Sequence, residues 1–314
     1  MDEIEPSSWR GGYSAAAALF LLAFSFQMQS FCYRCLIICK SMQAFFFTST
    51  IACGVFLAAI SGKPNPPLTA MNNTASTAQY AFHAADSRGH ADHGWLDTYH
   101  SFSFASWHNP ERMHFGALRV LNDDYVAGGG GFQTHPHDNM EIVSIPLEGD
   151  LEHGDNMGNT AVIRSGDVQI LSAGTGIMHS EKNYSSNDAV RFLQIWVFPN
   201  QRDLKPSYDQ ETFSKEAERN DLLCVVSPDG KQGVQMHQNA WFHLGSWEAD
   251  HAASYRLQGG TGQGVYAFVL EGAVEIDGKP LGRRDGLGIW DTESIAIKAT
   301  KNARFVLMEV PMQW

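Results

Sequence analysis

The chain has 314 residues, enough for two ordinary domains or one large one, which excludes a small disulfide-stabilised protein. Lysine and arginine total 22 against 34 aspartate and glutamate residues, and the formal charge of −12 argues against a surface that binds nucleic acid through phosphate contacts. With 44% hydrophobic and 18% charged residues, the composition predicts a globular protein and excludes a largely disordered one.

The first 70 residues differ in composition from the rest of the chain. Two uncharged runs, 11–33 and 41–62, are each long enough to cross a bilayer, which takes about 20 apolar residues. Three interpretations remain open for them: membrane-spanning segments, a signal peptide cleaved near residues 58–62, and upstream sequence read in frame with Met71 as the working start. We therefore predict a hydrophobic prefix with a proline-rich linker over residues 1–70.

The body of the chain contains a single cysteine, Cys224, so it offers no disulfide framework. A body with one cysteine suits a reducing compartment, and we expect it in the cytoplasm. Membrane anchoring or export is the expectation if the prefix belongs to the mature protein.

Short apolar runs separated by glycine, asparagine and aspartate predict strands of a β-sandwich or barrel over residues 141–145, 168–171, 192–198, 265–270 and 305–310. The polar stretch 208–220 is the clearest helix candidate. The tripeptide Leu-Glu-Gly ends a strand at 147–149 and again at 270–272, and a similar turn and strand follow each copy. This repetition predicts one barrel unit used twice, over residues 71–205 and 206–314.

Two motifs in the first half place ligand-type side chains at strand spacing. Residues two apart on a strand point to the same face, so His135 and His137 direct both imidazoles to one side. His179 and Glu181 share a face for the same reason. Two facing strands would therefore offer three imidazoles and one carboxylate to a single ion.

This ligand set suits a divalent first-row metal, with Fe(II) favoured and Mn, Ni, Cu or Zn as alternatives. A divalent ion with one carboxylate would keep a net charge of about +1 and would attract an anionic enolate or phenolate, with positions left for dioxygen. Glu141 is an even number of positions from His135 and would point to the same face of a continuous strand. It is therefore the alternative carboxylate ligand. We expect Glu181 to be the ligand and Glu141 to lie behind the ligands.

The same residues resemble the cupin motifs, in which His-x-His and a later His come from facing strands of a small barrel. More closely, the segments RGHADHGWL (88–96), YHSFSF (99–104), HPH (135–137) and AGTGIMHSE (173–181) resemble the pirin family, and the resemblance extends from about residue 87 to the end. It implies an all-β bicupin of two small barrels, each a double-stranded β-helix. The first barrel would bind iron through His135, His137, His179 and Glu181. The second barrel lacks both His-x-His and His-x-Glu, so we expect it to be metal-free.

The resemblance also implies an activity, because members of the family are associated with quercetin 2,3-dioxygenase activity. This reaction opens the central ring of a flavonol with O2 and releases carbon monoxide. We expect Glu181, or Glu141 behind it, to accept the proton of the flavonol 3-hydroxyl group. A metal-binding regulatory protein that acts as a redox-responsive partner of other proteins is the chief alternative, and a dioxygenase or isomerase with another enolisable substrate is the third.

Overall fold

The computed structural model describes residues 78–215 and 217–314. The hydrophobic prefix, with the three interpretations given for it, lies outside the described residues. Within the described ranges no helix combines the length and the hydropathy that a membrane span requires. One 3-10 helix, Ala85–Ser87, is the helical element of these ranges, and the rest of their regular structure is β-strand, which confirms the all-β prediction.

The strands follow one another along the whole described chain, and most are five to nine residues long. In chain order they are β1 (Gln79–His83), β2 (Gly89–Asp92), β3 (Leu96–His100), β4 (Leu118–Val126), β5 (Gly131–His137), β6 (Glu141–Glu148), β7 (Asp150–Asp155), β8 (Thr160–Arg164), β9 (Asp167–Ser172), β10 (Ile177–Asn183), β11 (Val190–Val197), β12 (Ser207–Thr212), β13 (Leu222–Ser227), β14 (Val234–Gln235), β15 (Trp241–Trp247), β16 (Ala252–Arg256), β17 (Gln263–Glu271), β18 (Val274–Ile276), β19 (Lys279–Leu281), β20 (Gly286–Trp290), β21 (Ser294–Ala299) and β22 (Ala303–Pro311).

Each barrel consists of a seven-stranded and a four-stranded sheet. The first barrel combines the order β12-β9-β6-β11-β4-β3-β2 with the order β5-β10-β7-β8, and the second combines β1-β20-β17-β22-β15-β13-β14 with β16-β21-β18-β19. The predicted repeat is visible at the ends of β6 and β17, where Gly149 and Gly272 turn the chain with φ of 72° and 75°. The strand order and the matching turns confirm two copies of one barrel unit.

Each barrel receives an edge strand from outside its own continuous segment. β1 precedes the first barrel in the chain but pairs with β20 of the second, whereas β12 follows residue 205 and pairs with β9 of the first. The large sheets of the two barrels pack through a shared apolar core that includes Leu121, Leu193, Phe242 and Val306. Exchanged edge strands and a common core therefore join the two barrels.

The helix predicted over 208–220 is wrong, because Ser207–Thr212 forms β12 and the described residues 213–215 and 217–220 form no helix. The antiparallel neighbour β9 satisfies the backbone of this strand, and Gln210 and Thr212 donate from their side chains to the carboxylate of Asp167 at 2.8 and 2.6 Å. Long-range pairing decides the conformation here, whereas polar composition reports only a local preference.

Candidate metal centre

Three histidines meet on two neighbouring strands of the first barrel. On the paired strands β5 and β10, His135 lies opposite His179, and His137 lies opposite Ile177. One nitrogen from each of His135, His137 and His179 lies within 4.8 Å of the other two. Their ring centroids are 4.5 to 4.9 Å apart. The structure therefore brings together all three imidazoles that the sequence motifs single out.

The protonation and hydrogen bonding of these imidazoles fit a divalent metal. His179 is only 1% exposed, yet neither of its ring nitrogens has a hydrogen-bond partner. Buried polar atoms are nearly always paired, so a side chain with two unpaired nitrogens indicates a missing partner. Nδ1 of His135 lies 2.7 Å from the carbonyl oxygen of Gln133 and must donate to it, which leaves Nε2 with a free lone pair.

Burial keeps the inner two histidines neutral. It lowers the pKa of His137 to about 4 and that of His179 to about 3, and the neighbouring imidazoles contribute in the same direction. Both rings are therefore unprotonated near neutral pH. Since a metal binds the neutral imidazole, protons do not compete for these two ligands under physiological conditions.

Glu181 lies close behind the cluster, but its carboxylate is engaged elsewhere. Ser144 donates to Oε1 at 2.6 Å, and the side-chain amide of Gln194 donates to Oε2. Among the described residues, the group whose ligand atoms all lie within 4.8 Å of one another consists of the three histidines and does not include Glu181. Burial raises the pKa of Glu181, whereas the bond from Ser144 and the charge of nearby His153 lower it. Glu181 as a fourth ligand stays a prediction, which requires the carboxylate to turn from one of these donors to the metal.

The expectation that Glu141 lies behind the ligands is wrong. Glu141 begins β6, and the next residues of its parity, Val143 and Ile145, belong to the core shared by the two barrels. Its Oε2 accepts hydrogen bonds from Ser172 Oγ at 2.7 Å and from the backbone N–H of His237 at 3.1 Å. This buried carboxylate connects the two halves of the chain and faces away from the histidines.

A polar band crosses the inner face of the first barrel below the cluster. Its members occupy directly opposed positions on five adjacent strands, in the order His100, Asn122, Gln194, Ser144 and Gln169. Sequence reasoning did not single out Ser144 and Gln194, which hold Glu181. The sequence signal for these two residues was a single polar side chain at an inward position of an apolar run. Ser144 is that residue in 141–145 and Gln194 in 192–198.

A fourth histidine, His153, also escaped the motif analysis. It is fully buried on β7 opposite Glu181, and its Nε2 lies 3.1 Å from Asp155 Oδ2. Its ring centroid lies 5.5 Å from that of His179 and 4.7 Å from that of Tyr208. The spacing His-Gly-Asp on a strand was the signal that could have identified this pair, since it places both side chains on one face.

Comparisons with known proteins show the family of the chain. Residues 81–197 match the family described as Pirin, and residues 224–310 match the family described as quercetinase C-terminal cupin domain. A protein of Escherichia coli (strain K12) named quercetin 2,3-dioxygenase is 41% identical over 228 residues, which cover 72% of this chain and 96% of the relative. A pirin-like protein of Caulobacter vibrioides is 38% identical, with 71% of this chain and 96% of the relative covered.

Solved structures of one bacterial protein are also similar. The crystal structure of YhhW from Escherichia coli has a TM-score of 0.71 and 39% identity, and the match covers 74% of this chain and 98% of that chain. A second structure, described as bacterial pirin YhhW in complex with nickel(II), has a TM-score of 0.70 and 38% identity, with 74% and 99% covered.

Proposed function

Because the chain belongs to the pirin family, we propose that it is a metal-dependent dioxygenase that opens the central ring of a flavonol with O2. The observation that carries the proposal is the cluster of His135, His137 and His179, in which a buried histidine has two unpaired nitrogens. The name quercetin 2,3-dioxygenase of the Escherichia coli relative supports the choice of reaction and substrate class.

The three histidines would hold the metal, with Glu181 as the fourth ligand. Fe(II) is the metal that we favour, and the nickel(II) complex of the related bacterial pirin supports a divalent ion as the bound metal. When bound, the metal supplies a Lewis acid that lowers the pKa of the flavonol 3-hydroxyl group and assists reaction with O2.

Glu181 acts as the base that takes the proton of this hydroxyl group. In the metal-free protein burial raises the pKa of its carboxyl group, and the bound cation would act in the opposite direction, so the role of base rests on the position of Glu181 beside the histidines. Ser144 and Gln194 each donate to one carboxylate oxygen in the metal-free protein, and the donor that stays bonded after the carboxylate turns to the metal would orient it. A matched pair of variants separates the loss of the Gln194 donor from the loss of side-chain volume: Gln194→Met removes the amide at similar volume, whereas Gln194→Ala removes both.

Aromatic side chains limit the access of water on one side of the cluster. The ring of Trp196 lies 4.9 Å from that of His137 and 5.3 Å from that of Phe104, in edge-to-face contacts. A wall of this kind keeps the reacting oxygen species in an environment of low polarity and suits a flat, aromatic substrate.

Aerobic incubation of the full chain, loaded with Fe(II), with quercetin tests the proposal. We expect loss of the flavonol absorbance band together with release of carbon monoxide, both abolished by His135→Ala. The variant His251→Ala, in the second barrel, is the matched control and should retain turnover. Absence of turnover with several flavonols and several divalent metals, in a protein that binds those metals, would refute the dioxygenase and would favour the regulatory alternative.

A further inference from the structure

A cavity of about 700 Å³ lies between the two barrels, apart from the histidine cluster. Arg88, Tyr99 and Asp123 line it from the first barrel, and Arg283 and Arg284 line it from the second. None of the three clustered histidines contributes to its wall. Its volume lies within the range of about 300 to 1,000 Å³ that is typical of small-molecule sites.

Two buried guanidinium groups form one part of this wall and share a single carboxylate. The side chains of Arg88 and Arg284 are 7% and 6% exposed, and both contact Oδ2 of Asp123, at 3.2 and 2.9 Å. Two buried positive charges thus contact one negative charge, and the charge of Glu271 also acts on Arg284. This group carries a net positive charge, which is unfavourable unless a further anion compensates it.

Both guanidinium groups are held in place by contacts with other residues of the cavity wall. Arg88 donates from Nε to the carbonyl of Ala85 at 3.1 Å and stacks 4.7 Å from the ring centroid of Tyr99. Arg284 donates from Nη1 to the carbonyl of Leu270 at 2.7 Å. The hydrogen bonds described for both arginines use Nε and Nη1, so the Nη2 groups are the donors left for a ligand. Preorganised guanidinium groups suit bidentate recognition of carboxylate or phosphate.

The other charges at the wall largely cancel one another. Arg191 pairs with Glu148 at 3.5 Å, and Arg283 pairs with Glu271 at 2.9 Å. Three of these side chains are about half exposed and Glu148 is 73% exposed, so solvent screens the remaining electric field of the two pairs.

The remaining acids do not oppose the buried pair directly. The carboxylate of Asp97 is 2.7 Å from Nε2 of His90. Asp124 shares a face of β4 with Asn122, a member of the polar band, and its carboxyl group therefore belongs to the interior of the first barrel. Asp86 is exposed to solvent. The buried arginine pair consequently dominates the recognition chemistry of the cavity.

We propose that this cavity binds a small organic anion through an oxyanion group, a phosphate or a carboxylate, that Arg88 and Arg284 hold together. The site belongs to neither barrel alone, so a bound anion bridges both halves of the chain. Asp123 competes with the ligand for the same two guanidinium groups. This competition gives the proposal a test in which two kinds of substitution act in opposite directions.

The test is isothermal titration calorimetry of the full chain at constant ionic strength, with inorganic phosphate and succinate as separate probes. Metal is first removed, and His179→Ala is included so that binding at the histidine cluster is recognised. We expect saturable binding of at least one probe, unchanged in His179→Ala. Arg88→Gln and Arg284→Gln should each weaken binding by about tenfold, since each removes charge-assisted hydrogen bonds. A preference for phosphate or for succinate identifies the oxyanion.

Asp123→Asn should strengthen binding by a similar factor, because it removes the internal competitor and leaves both guanidinium groups in place. Opposite effects of these substitutions are not expected from a purely structural role. If the buried arginine variants fail to fold, the sign of the Asp123→Asn effect decides the question. The exposed control Arg256→Gln, on β16, should bind as the wild type does. Absence of saturable binding, or equal binding by the wild type and Asp123→Asn, would overturn the proposal.

Discussion

Substitution of His179 by alanine should change how the stability of the metal-free protein depends on pH. In the folded protein burial lowers the pKa of His179 to about 3, whereas its ordinary value is 6.5. Between these two values the unfolded chain binds a proton that the folded chain does not bind. The free energy of unfolding therefore rises with pH over this window and falls as the solution is acidified from about pH 6.5.

The size of the effect follows from the span of this window. From pH 6.5 to pH 5 the unfolded side chain is protonated and the folded one is neutral, and each pH unit is worth about 1.4 kcal/mol. His179 alone should thus remove about 2 kcal/mol of stability between pH 8 and pH 5. The alanine variant lacks this contribution. The stability difference between the wild type and His179→Ala should therefore shrink by about 2 kcal/mol when the pH falls from 8 to 5.

Urea unfolding of both proteins at several pH values measures this difference, after metal has been removed. His243→Ala is the matched control, because burial alone lowers the pKa of His243 to about 4 in the second barrel, away from the proposed ligands. It should show a change of similar size, about 2 kcal/mol, from the same linkage. Stability curves of the wild type and His179→Ala that run parallel from pH 8 to pH 5 would refute the reasoning.

Three further outcomes are expected. Nickel(II) at about 100 times its Kd should raise the free energy of unfolding by about 2.7 kcal/mol, measured by urea unfolding, and should not do so in His135→Ala. Gly174→Ala should cost about 1 to 3 kcal/mol, because φ is +46° and an added Cβ would collide with the carbonyl oxygen of Leu204; an unchanged urea midpoint would contradict this. Glu309→Gln should cost about 2 kcal/mol, since this fully buried carboxylate accepts the Tyr255 hydroxyl at 2.6 Å, while calorimetry should find the affinity for nickel(II) unchanged.

The sequence predicts the part of the site that depends on local geometry. The parity of a strand places His135 and His137 on one face whatever the rest of the fold does, and the antiparallel partner strand brings His179 to the same place. Two short motifs are therefore sufficient to identify the cluster. The pKa values of His137 and His179 depend on burial, which the motifs do not report.

The unpredicted parts depend on contacts between distant segments. Glu181 is held by donors from two other strands, and a carboxylate at the right spacing gives no sign of them in its own motif. Glu141 has the parity of the ligands, but it lies on the next strand, where the same parity faces the other barrel. Alternation of side chains between two faces holds only within one strand. Extending it across the turn after residue 137 therefore assigned Glu141 to the wrong face of the sheet.

The two barrels share one strand order but differ in the side chains that fill their interiors. In the second barrel one apolar cluster extends through the interior, including Trp247, Val269 and Phe305. In the first barrel the apolar residues form two separate clusters, one around Phe192 and one around Leu171. The polar band and the histidines lie between these two clusters. The centre of the first barrel is therefore not filled by one continuous apolar core.

Such an interior lowers stability unless its polar groups are satisfied, and several are not. The unpaired buried atoms of the first barrel include Oδ1 of Asp124, Oε1 of Gln169, Nδ1 of His153 and both ring nitrogens of His179. Unpaired groups of this kind cost about 1 to 3 kcal/mol each. Because a metal at the cluster would coordinate one of the two unpaired ring nitrogens of His179, its binding energy would contribute directly to the stability of the first barrel. The two barrels thus differ in their interiors: among the described residues the three-histidine cluster lies in the first, whereas the second combines an apolar cluster with a few buried polar side chains such as Glu309 and His243. Strand order alone therefore does not indicate function.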